Sequence, residues 1–231
     1  DCLRGLVGSE MCIRDRSNTY AFAEQSFIHE LAVTAKRDHL EFLIDMLGEP
    51  EWLEADNPRV IHTGRAVETI RQVAKNARWG RQLPKRRALG LSFFFSHATP
   101  VAEIAEVSVD EDRKVTIHDV WVVADCGPVI NLSGAEGQCQ GSVIDGISTM
   151  ARQRVSIKDG RVEQTNFHEY PLLRIEQQPA IHVQFLQSDF APTGLGEPAL
   201  PPIAAAVCNA IYSATGQRIR RLPISSEGFT I

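Results

Sequence analysis

Thr193-Gly-Leu-Gly-Glu-Pro-Ala-Leu-Pro-Pro202 leads directly into an apolar segment, Ile203 to Thr215, which is followed by Gly216. Proline suits the first turn of a helix and glycine the position just past its end, so we predict a helix between these residues. Its apolar residues recur at helical spacing and form one stripe, namely Ile203, Ala206, Val207, Ala210, Ile211 and Ala214. The stretch before it is therefore predicted to be a loop that enters a buried helix.

This loop carries a carboxylate, Glu197, between Gly196 and Pro198. Proline disfavours the helical conformation of the residue before it, so Glu197 is predicted to be extended. Gly194 and Gly196 lack a Cβ, which lets the backbone pass close to a ligand. An acid on a rigid elbow at the start of a helix suits a catalytic group, although these residues alone leave the reaction open.

The composition is that of an ordinary soluble globular protein, with 43% hydrophobic and 23% charged residues. A chain of 231 residues can bury a core and hold one large domain or two small ones. The formal net charge of -5 does not favour binding to nucleic acid, and no apolar run approaches the roughly 20 residues of a membrane span. We expect neither a nucleic-acid partner nor a membrane span in this chain.

The standard catalytic and metal-binding motifs are missing from the sequence. The cysteines contain no CxxC pair, which predicts neither a zinc site nor an iron–sulfur cluster, and we expect no metal ligands in this chain. No P-loop and no G-x-S-x-G elbow occur. Gly194 to Ala199 matches the G-x-G-x-x-A dinucleotide fingerprint formally, but Pro198 lacks the N–H that would meet a phosphate.

Three other polar positions keep both a functional and a structural interpretation. His97 follows three phenylalanines and either lines a pocket or lies in a core. Asp125-Cys-Gly127 has the composition of a turn at the end of a strand. Gln138 lies among glycines, where its amide either contacts a ligand or faces solvent.

The chain divides into a helical segment, residues 17–85, and an α+β segment, residues 86–231. Asp38 and Glu41 fit a capping box that opens a helix ending at Leu47, and Thr63 and Gly80 are the predicted limits of the next helix. Beyond residue 86, strand-like segments alternate with a few helices without regular βαβ order. They are 91–97, 101–109, 115–124, 181–186 and a short terminal strand at 219–224.

Two further features complete the organisation of the chain. A glycine-rich helix is predicted from Asn131 to Met150, and Lys158-Asp-Gly160 is a hairpin turn. The fold class is therefore α+β, with a mixed, mainly antiparallel sheet. Asp1 to Arg16 resembles a translated sequencing adapter, so we expect residues 1–16 to be non-native and to lie outside the fold.

Several stretches in order resemble the C-terminal part of the large subunit of bacterial molybdenum hydroxylases, the family of xanthine dehydrogenase and aldehyde oxidase. Within this family, the pattern of the matching stretches most resembles the beta subunits of the isoquinoline 1-oxidoreductase group. The matching stretches include Asp125-Cys-Gly-Pro-Val-Ile-Asn131, Gly137-Gln-Cys-Gln-Gly141, Asn166-Phe-His-Glu-Tyr-Pro171 and Gly194-Leu-Gly-Glu-Pro198, with 21–31, 101–109, 158–162, 201–203 and 214–224. The resemblance covers nearly everything after residue 16.

The resemblance implies a role for three residues. The carboxylate of the G-x-G-E-P loop, here Glu197, is the general base that deprotonates a hydroxyl bound to molybdenum. An N-heteroaromatic or aldehyde substrate is then oxidised at carbon with oxygen from water. Gln138 would contact the pterin of the cofactor and Gly196 would pack against the metal centre. The cofactor would be a molybdopterin, in its cytosine dinucleotide form, and a small [2Fe-2S] subunit would be the partner.

The sequence also departs from the family pattern, and these departures leave a non-catalytic function open. Relatives are several hundred residues longer, and their earlier glycine-rich cofactor loop has no counterpart here, so we expect the isolated chain to be inactive. The stretch from Phe93 to Pro100 also differs from the small-residue loop of the family. A non-catalytic paralogue, or a module that binds a partner subunit during assembly, therefore stays open beside the enzyme. The compartment, bacterial cytoplasm or periplasm, is also open.

Overall fold

The computed structural model describes residues 17–55, 57 and 59–231, so the predicted non-native segment 1–16 lies outside the described residues. The helices are α1 (Ser17–Thr34), α2 (His39–Leu47), α3 (Thr63–Ala77), α4 (Leu132–Ala151) and α5 (Pro201–Thr215). The strands are β1 (Arg87–Ser96), β2 (Thr99–Val109), β3 (Val115–Ala124), β4 (Ile157–Lys158), β5 (Arg161–Val162) and β6 (Ala180–Phe185). Short 3₁₀ helices lie at Phe167–Glu169, Ile175–Gln177 and Ile224–Glu227.

The main sheet has the strand order β1-β2-β3-β6. β1, β2 and β3 are antiparallel neighbours, whereas β6 runs parallel to β3. This arrangement confirms the predicted α+β class with a mixed, mainly antiparallel sheet. The turn Asp159-Gly160 joins β4 and β5 in the small hairpin that the sequence predicts.

Helices cover both faces of the sheet. One face packs against α5, with α1 and α4 beside that helix, and the other packs against α3. Every residue from Pro201 to Ile211 is buried. The predicted single apolar stripe on α5 is therefore too narrow, because the sheet and the two neighbouring helices surround this helix.

The helix ends show where local signals succeed. Asp38 caps α2 as predicted, since its carboxylate accepts hydrogen bonds from the Leu40 and Glu41 N–H groups at 2.9 and 3.3 Å. The limits of α3 are different from the predicted ones. His62 is the N-cap in place of Thr63. The helix ends at Ala77 and its C-cap is Arg78, whose backbone is left-handed with φ 51°, two residues before Gly80.

The predicted terminal strand at 219–224 is wrong. This segment has irregular backbone that ends in the 3₁₀ helix from Ile224 to Glu227. Ile219 and Ile224 are buried in the core, so their apolar character anchors the chain and does not indicate strand pairing. Within the described ranges, no helix has both the length and the apolar character needed to cross a membrane.

Candidate active site

The loop that leads to Glu197 lies against the ends of three strands. The Thr193 N–H donates to the Cys126 carbonyl oxygen just after β3, at 3.0 Å. The Gly194 N–H donates to the His97 carbonyl oxygen in the turn between β1 and β2, at 3.3 Å. These two backbone hydrogen bonds fix the position of the loop relative to the ends of the strands.

Side chains from β2 and α4 hold the same loop from its other sides. The Thr99 hydroxyl donates to the Gly194 carbonyl oxygen at 2.6 Å. The Ser142 hydroxyl of α4 donates to the Gly196 carbonyl oxygen at 3.2 Å. The Leu200 N–H donates to the Glu197 carbonyl oxygen at 2.8 Å, which closes a tight turn at the entrance to α5. Each bond restricts the backbone from which the Glu197 side chain projects.

The Glu197 carboxylate faces the imidazole of His97. Glu197 Oε2 lies 3.7 Å from His97 Nε2, and the side chains are 19% and 40% exposed. His97 follows the end of β1 and adopts a left-handed backbone with φ 52°, as does Ala98 with φ 59°. His97 is therefore exposed in a turn beside Glu197 and does not lie in a core, whereas its role in lining a pocket stays a prediction.

The structure brings the three predicted site residues together. Gln138 is exposed on α4, and a Cβ added to Gly196 would lie 3.7 Å from Gln138 Oε1. Gly137 and Gly141 lie on the same exposed face of α4, where an added Cβ would meet no atom of the described residues within 4 Å. We call this surface, defined by Gly137, Gln138, Gly141 and Gly196, the glycine shelf.

A buried ion pair supports the turn after β3, on which the loop rests. Arg65 Nε of α3 lies 2.8 Å from Asp125 Oδ2, and Arg65 Nη2 donates to the Asp125 carbonyl oxygen at 2.6 Å. Asp125 Oδ1 accepts from the Ser188 hydroxyl at 2.6 Å and from the Gly127 N–H at 3.2 Å. Burial alone would raise the pKa of Asp125, but the bonds from Arg65, Ser188 and Gly127 outweigh it and lower this pKa.

Arg65 and Gly127 both pack closely against Phe190, which lies just before the loop that carries Glu197. The Arg65 guanidinium lies 4.3 Å from the centre of the Phe190 ring. Gly127 has φ 72°, and a Cβ there would come within 2.5 Å of the Phe190 carbonyl oxygen. The turn composition of Asp125-Cys-Gly127 is thus confirmed. The pairing with Arg65 was missed, because no local signal connects positions 60 residues apart.

The side chains gathered at this loop can take part in acid–base chemistry and can bind a polar ligand. It offers a partly exposed carboxylate that can accept a proton, an imidazole beside it and an amide that can donate and accept hydrogen bonds. Two of the described cysteines are unsuited to nucleophilic chemistry, since burial raises the pKa of Cys126, and raises that of Cys139 to about 12. Among the described residues, no three histidine, cysteine or acidic side chains form a group that would hold a metal ion.

Comparison with known proteins identifies a family. Residues 19–179 match the molybdopterin cofactor-binding domain. The matched range contains Gln138, whereas Gly196 and Glu197 lie beyond it. The chain is 31% identical to the beta subunit of isoquinoline 1-oxidoreductase from Brevundimonas diminuta, over 88% of this chain and 25% of that protein. It is also 31% identical to a nicotinate dehydrogenase subunit of Pseudomonas putida, over 90% of this chain and 18% of that protein.

The fold has a solved counterpart. The aldehyde oxidoreductase from Desulfovibrio gigas superposes with a TM-score of 0.65 over 90% of this chain and 40% of that one. At 15% identity, this likeness concerns the fold alone. The chain spans about a quarter or less of the length of the curated relatives it matches.

Proposed function

This chain belongs to the molybdopterin cofactor-binding domain family of molybdenum hydroxylase large subunits, and from that premise we propose that Glu197 is the catalytic base of such an enzyme. The observation that carries the proposal is the juxtaposition of Glu197, Gly196 and Gln138 at one open surface. These residues come from the loop and from α4, which are far apart in sequence. Their convergence beside an open surface is what a bound cofactor requires.

The residues present fit a flat cofactor along the glycine shelf. Two helix positions there, Gly137 and Gly141, carry no side chain although an added Cβ has free space. A glycine inside a helix costs about 1 kcal/mol relative to alanine, so these positions lower the stability of α4 without a packing reason. A ligand that contacts the backbone of α4 supplies such a reason. Gln138 would then hold the pterin by its amide, and Gly196 would leave room for the metal centre.

The chemistry divides between the cofactor and this chain. When bound, the molybdenum cofactor supplies the two-electron oxidation of a substrate carbon. Glu197 accepts the proton of the water-derived oxygen nucleophile at a carboxylate oxygen, which requires that the carboxyl group be ionised. Its side chain is 19% exposed, so the carboxylate is in contact with water.

His97 extends this proposal. Its Nε2 lies 3.7 Å from Glu197 Oε2, which is too far for a direct hydrogen bond, so we propose that a water molecule between the two side chains carries the proton away from the carboxylate. The turn that carries His97 is bonded to the loop through the Gly194 N–H.

The substrate class and the partner follow from the relatives. Two relatives that are 31% identical are named for isoquinoline and nicotinate, which are N-heteroaromatic compounds. We infer an N-heteroaromatic or aldehyde substrate for the complete enzyme. Because these relatives are subunits, we also infer a partner subunit for the complete enzyme. From the family resemblance we propose that this partner carries [2Fe-2S] clusters that remove electrons, and that the cofactor is in the cytosine dinucleotide form.

The test of the proposal is Glu197→Gln in the complete large subunit, assembled with its partner. We expect turnover of an N-heteroaromatic substrate to fall by about 10³-fold, the scale of a lost general base, while the molybdenum content stays the same. Glu163→Gln, at an exposed position of the hairpin, is the matched control and should leave turnover unchanged. Retained turnover in Glu197→Gln would refute the assignment.

The second candidate is a non-catalytic assembly module. It is favoured by the exposed apolar side chains of the segment after α4, among them Ile157, Phe167 and Ile175, which are 73%, 91% and 77% exposed. Elemental analysis of the complete subunit distinguishes the two candidates. A subunit without molybdenum that still binds its partner supports the assembly module and refutes the enzyme.

A further inference from the structure

A cleft rich in arginine lies at the other end of α4 from the glycine shelf. It has a volume of about 810 Å³ and is lined by Gln153, Arg154, Arg218, Arg220, Arg221, Leu222, Pro223, Ser226 and Glu227. Gln138 lies near the start of α4, whereas Gln153 lies just beyond the last helical residue, Ala151. The thirteen positions from Gln138 to Ala151 correspond to about 20 Å along the helix axis. The cleft is therefore separate from the site of Glu197.

The positive charge of the cleft exceeds its local acids. Of the described residues that line it, four are arginines and one, Glu227, is acidic. Arg220 is bonded to Glu30 through both ends of its guanidinium, at 2.6 and 3.0 Å. Counting Glu30 and Glu227 against the four arginines leaves two positive charges. The chain as a whole has a net charge of -5, so this local excess is not a consequence of its composition.

Two of the arginines, Arg154 and Arg221, differ from the others in their contacts with the described residues. Arg154 and Arg221 are exposed and make no hydrogen bond or ion pair with any residue that the structure describes. Arg218, in contrast, is held in place, because its Nη1 lies 2.8 Å from His29 Nδ1 and its guanidinium lies 3.8 Å from the centre of the Tyr212 ring. The cleft thus combines a fixed cation with two free ones. Guanidinium groups bind phosphate by paired N–H donors.

An apolar cavity of about 470 Å³ adjoins the cleft, since both are lined by Gln153, Arg220, Leu222 and Pro223. Its other walls include Phe22, Met150 and Leu200. Asn18 also lines it, and Asn18 Oδ1 is buried without a hydrogen-bond partner among the described residues. A buried acceptor without a donor is unfavourable unless a ligand supplies one.

We propose that the cleft and the adjoining cavity together bind a phosphate-bearing small molecule with an aromatic body, of which a nucleoside monophosphate is the simplest representative. The phosphate lies among Arg154, Arg218 and Arg221. The aromatic body enters the apolar cavity, where an N–H group donates to Asn18 Oδ1. The cleft, at about 810 Å³, and the cavity, at about 470 Å³, are each within the range of about 300 to 1,000 Å³ that is typical of small-molecule sites.

The test is calorimetric titration of the purified chain with adenosine monophosphate, inorganic phosphate and adenosine. We expect the monophosphate to bind at least tenfold more tightly than inorganic phosphate, and to bind less tightly as the salt concentration rises. Equal affinity for the monophosphate and inorganic phosphate would refute the aromatic part of the site. Absence of binding by the monophosphate at millimolar concentration would overturn the proposal.

The variant Arg154→Ala/Arg221→Ala should weaken binding of the monophosphate by at least tenfold. Because the two side chains make no bond with the described part of the chain, the variant should melt at the wild-type temperature. The matched control is Arg71→Ala/Lys75→Ala on the exposed face of α3, which removes the same charge from residues that line neither cavity. Equal weakening in both variants would mean a non-specific charge effect, which contradicts the proposal.

Discussion

The inner contact of α5 with β1 and the outer face of α4 both contain glycine, for opposite reasons. At Gly90 of β1, an added Cβ would come within 2.1 Å of the Ala206 carbonyl oxygen and 2.3 Å of the Ala210 nitrogen. At Gly137 and Gly141 of α4, an added Cβ would meet no described atom within 4 Å. Gly90 is required by packing, whereas the outer glycines are not.

This difference separates structure from function within one residue type. A glycine that touches another backbone explains itself through the close contact of helix and strand. A glycine that lowers helix stability and touches nothing in the chain indicates a contact outside the chain. Gly146 of α4 belongs to the first kind, since its added Cβ would lie 2.3 Å from Ile203 Cγ2. One helix therefore has a closed inner face and an open outer face.

The largest loss of stability is expected when the buried ion pair of the interior is broken. Asp125→Ala removes the carboxylate partner of Arg65, whose side chain is only 3% exposed, and leaves a buried guanidinium without its counter-charge. We expect the free energy of unfolding to fall by about 4 kcal/mol, measured by urea denaturation. Asp112→Ala, in the exposed hairpin between β2 and β3, is the control and should change it by less than about 0.5 kcal/mol. A similar small change for Asp125→Ala would mean that the interior is not closed there.

A somewhat smaller effect is expected for Gly90→Ala. The added methyl group meets backbone atoms of α5, which cannot rotate away as a side chain would, so α5 must move from the sheet. We expect a loss of about 3 kcal/mol in the free energy of unfolding. Ser92→Ala, at the same face of the same strand, adds no atoms and serves as the control. Wild-type stability in Gly90→Ala would show that the contact is looser than the distances indicate.

Local chemistry predicted much of this fold, and tertiary contacts account for what it missed. The Asp38 cap, the Asp159-Gly160 turn and the proline–glycine limits of α5 all depend on neighbouring residues, and each was predicted correctly. The burial of α5 on every side was not predicted, because alanine fits an exposed and a buried position equally well.

In the candidate site, too, local signals identify single residues, whereas the contacts between them depend on the tertiary fold. Glu197 stood out by its position between glycine and proline, but its approach to His97 depends on how the β1–β2 turn meets the loop. The neighbourhood of Gln138 and Gly196 was expected only through the family resemblance, since spacing in the sequence contains no distance between α4 and the loop. Neither a local sequence signal nor the family resemblance predicts the Arg65–Asp125 ion pair.

A third expectation concerns pH, which acts on the closed interior through two buried histidines. Burial lowers the pKa of His39 to about 3, and neither of its ring nitrogens has a partner in the described part of the chain. Burial, together with the charge of Arg218, lowers the pKa of His29 to about 4. Because the unfolded histidines have a pKa near 6.5, stability is complete above that pH and is lost as the pH falls toward 4.

The measurement compares unfolding free energies at pH 6.5 and near pH 5. In His39→Leu, the loss over this interval should be smaller than in the wild type by about 2 kcal/mol, the energy of one histidine over about 1.5 pKa units. His168→Leu replaces an exposed histidine and should leave the pH dependence as it is. Parallel pH profiles for the wild type and His39→Leu would contradict a neutral, buried His39.

The smallest effect is the one that bears most directly on the open outer face. Gly137→Ala should raise the free energy of unfolding of the chain by about 1 kcal/mol, because alanine favours the helix and the methyl group has free space. Gly146→Ala makes the same substitution on the inner face of α4, where it meets Ile203 and should destabilise the chain. In the complete subunit, the stabilised Gly137→Ala variant should nevertheless contain less molybdenum than the wild type, since the methyl group occupies the glycine shelf. Higher stability combined with unchanged molybdenum content would show that the shelf does not contact the cofactor, and would leave the open glycines of α4 without a function.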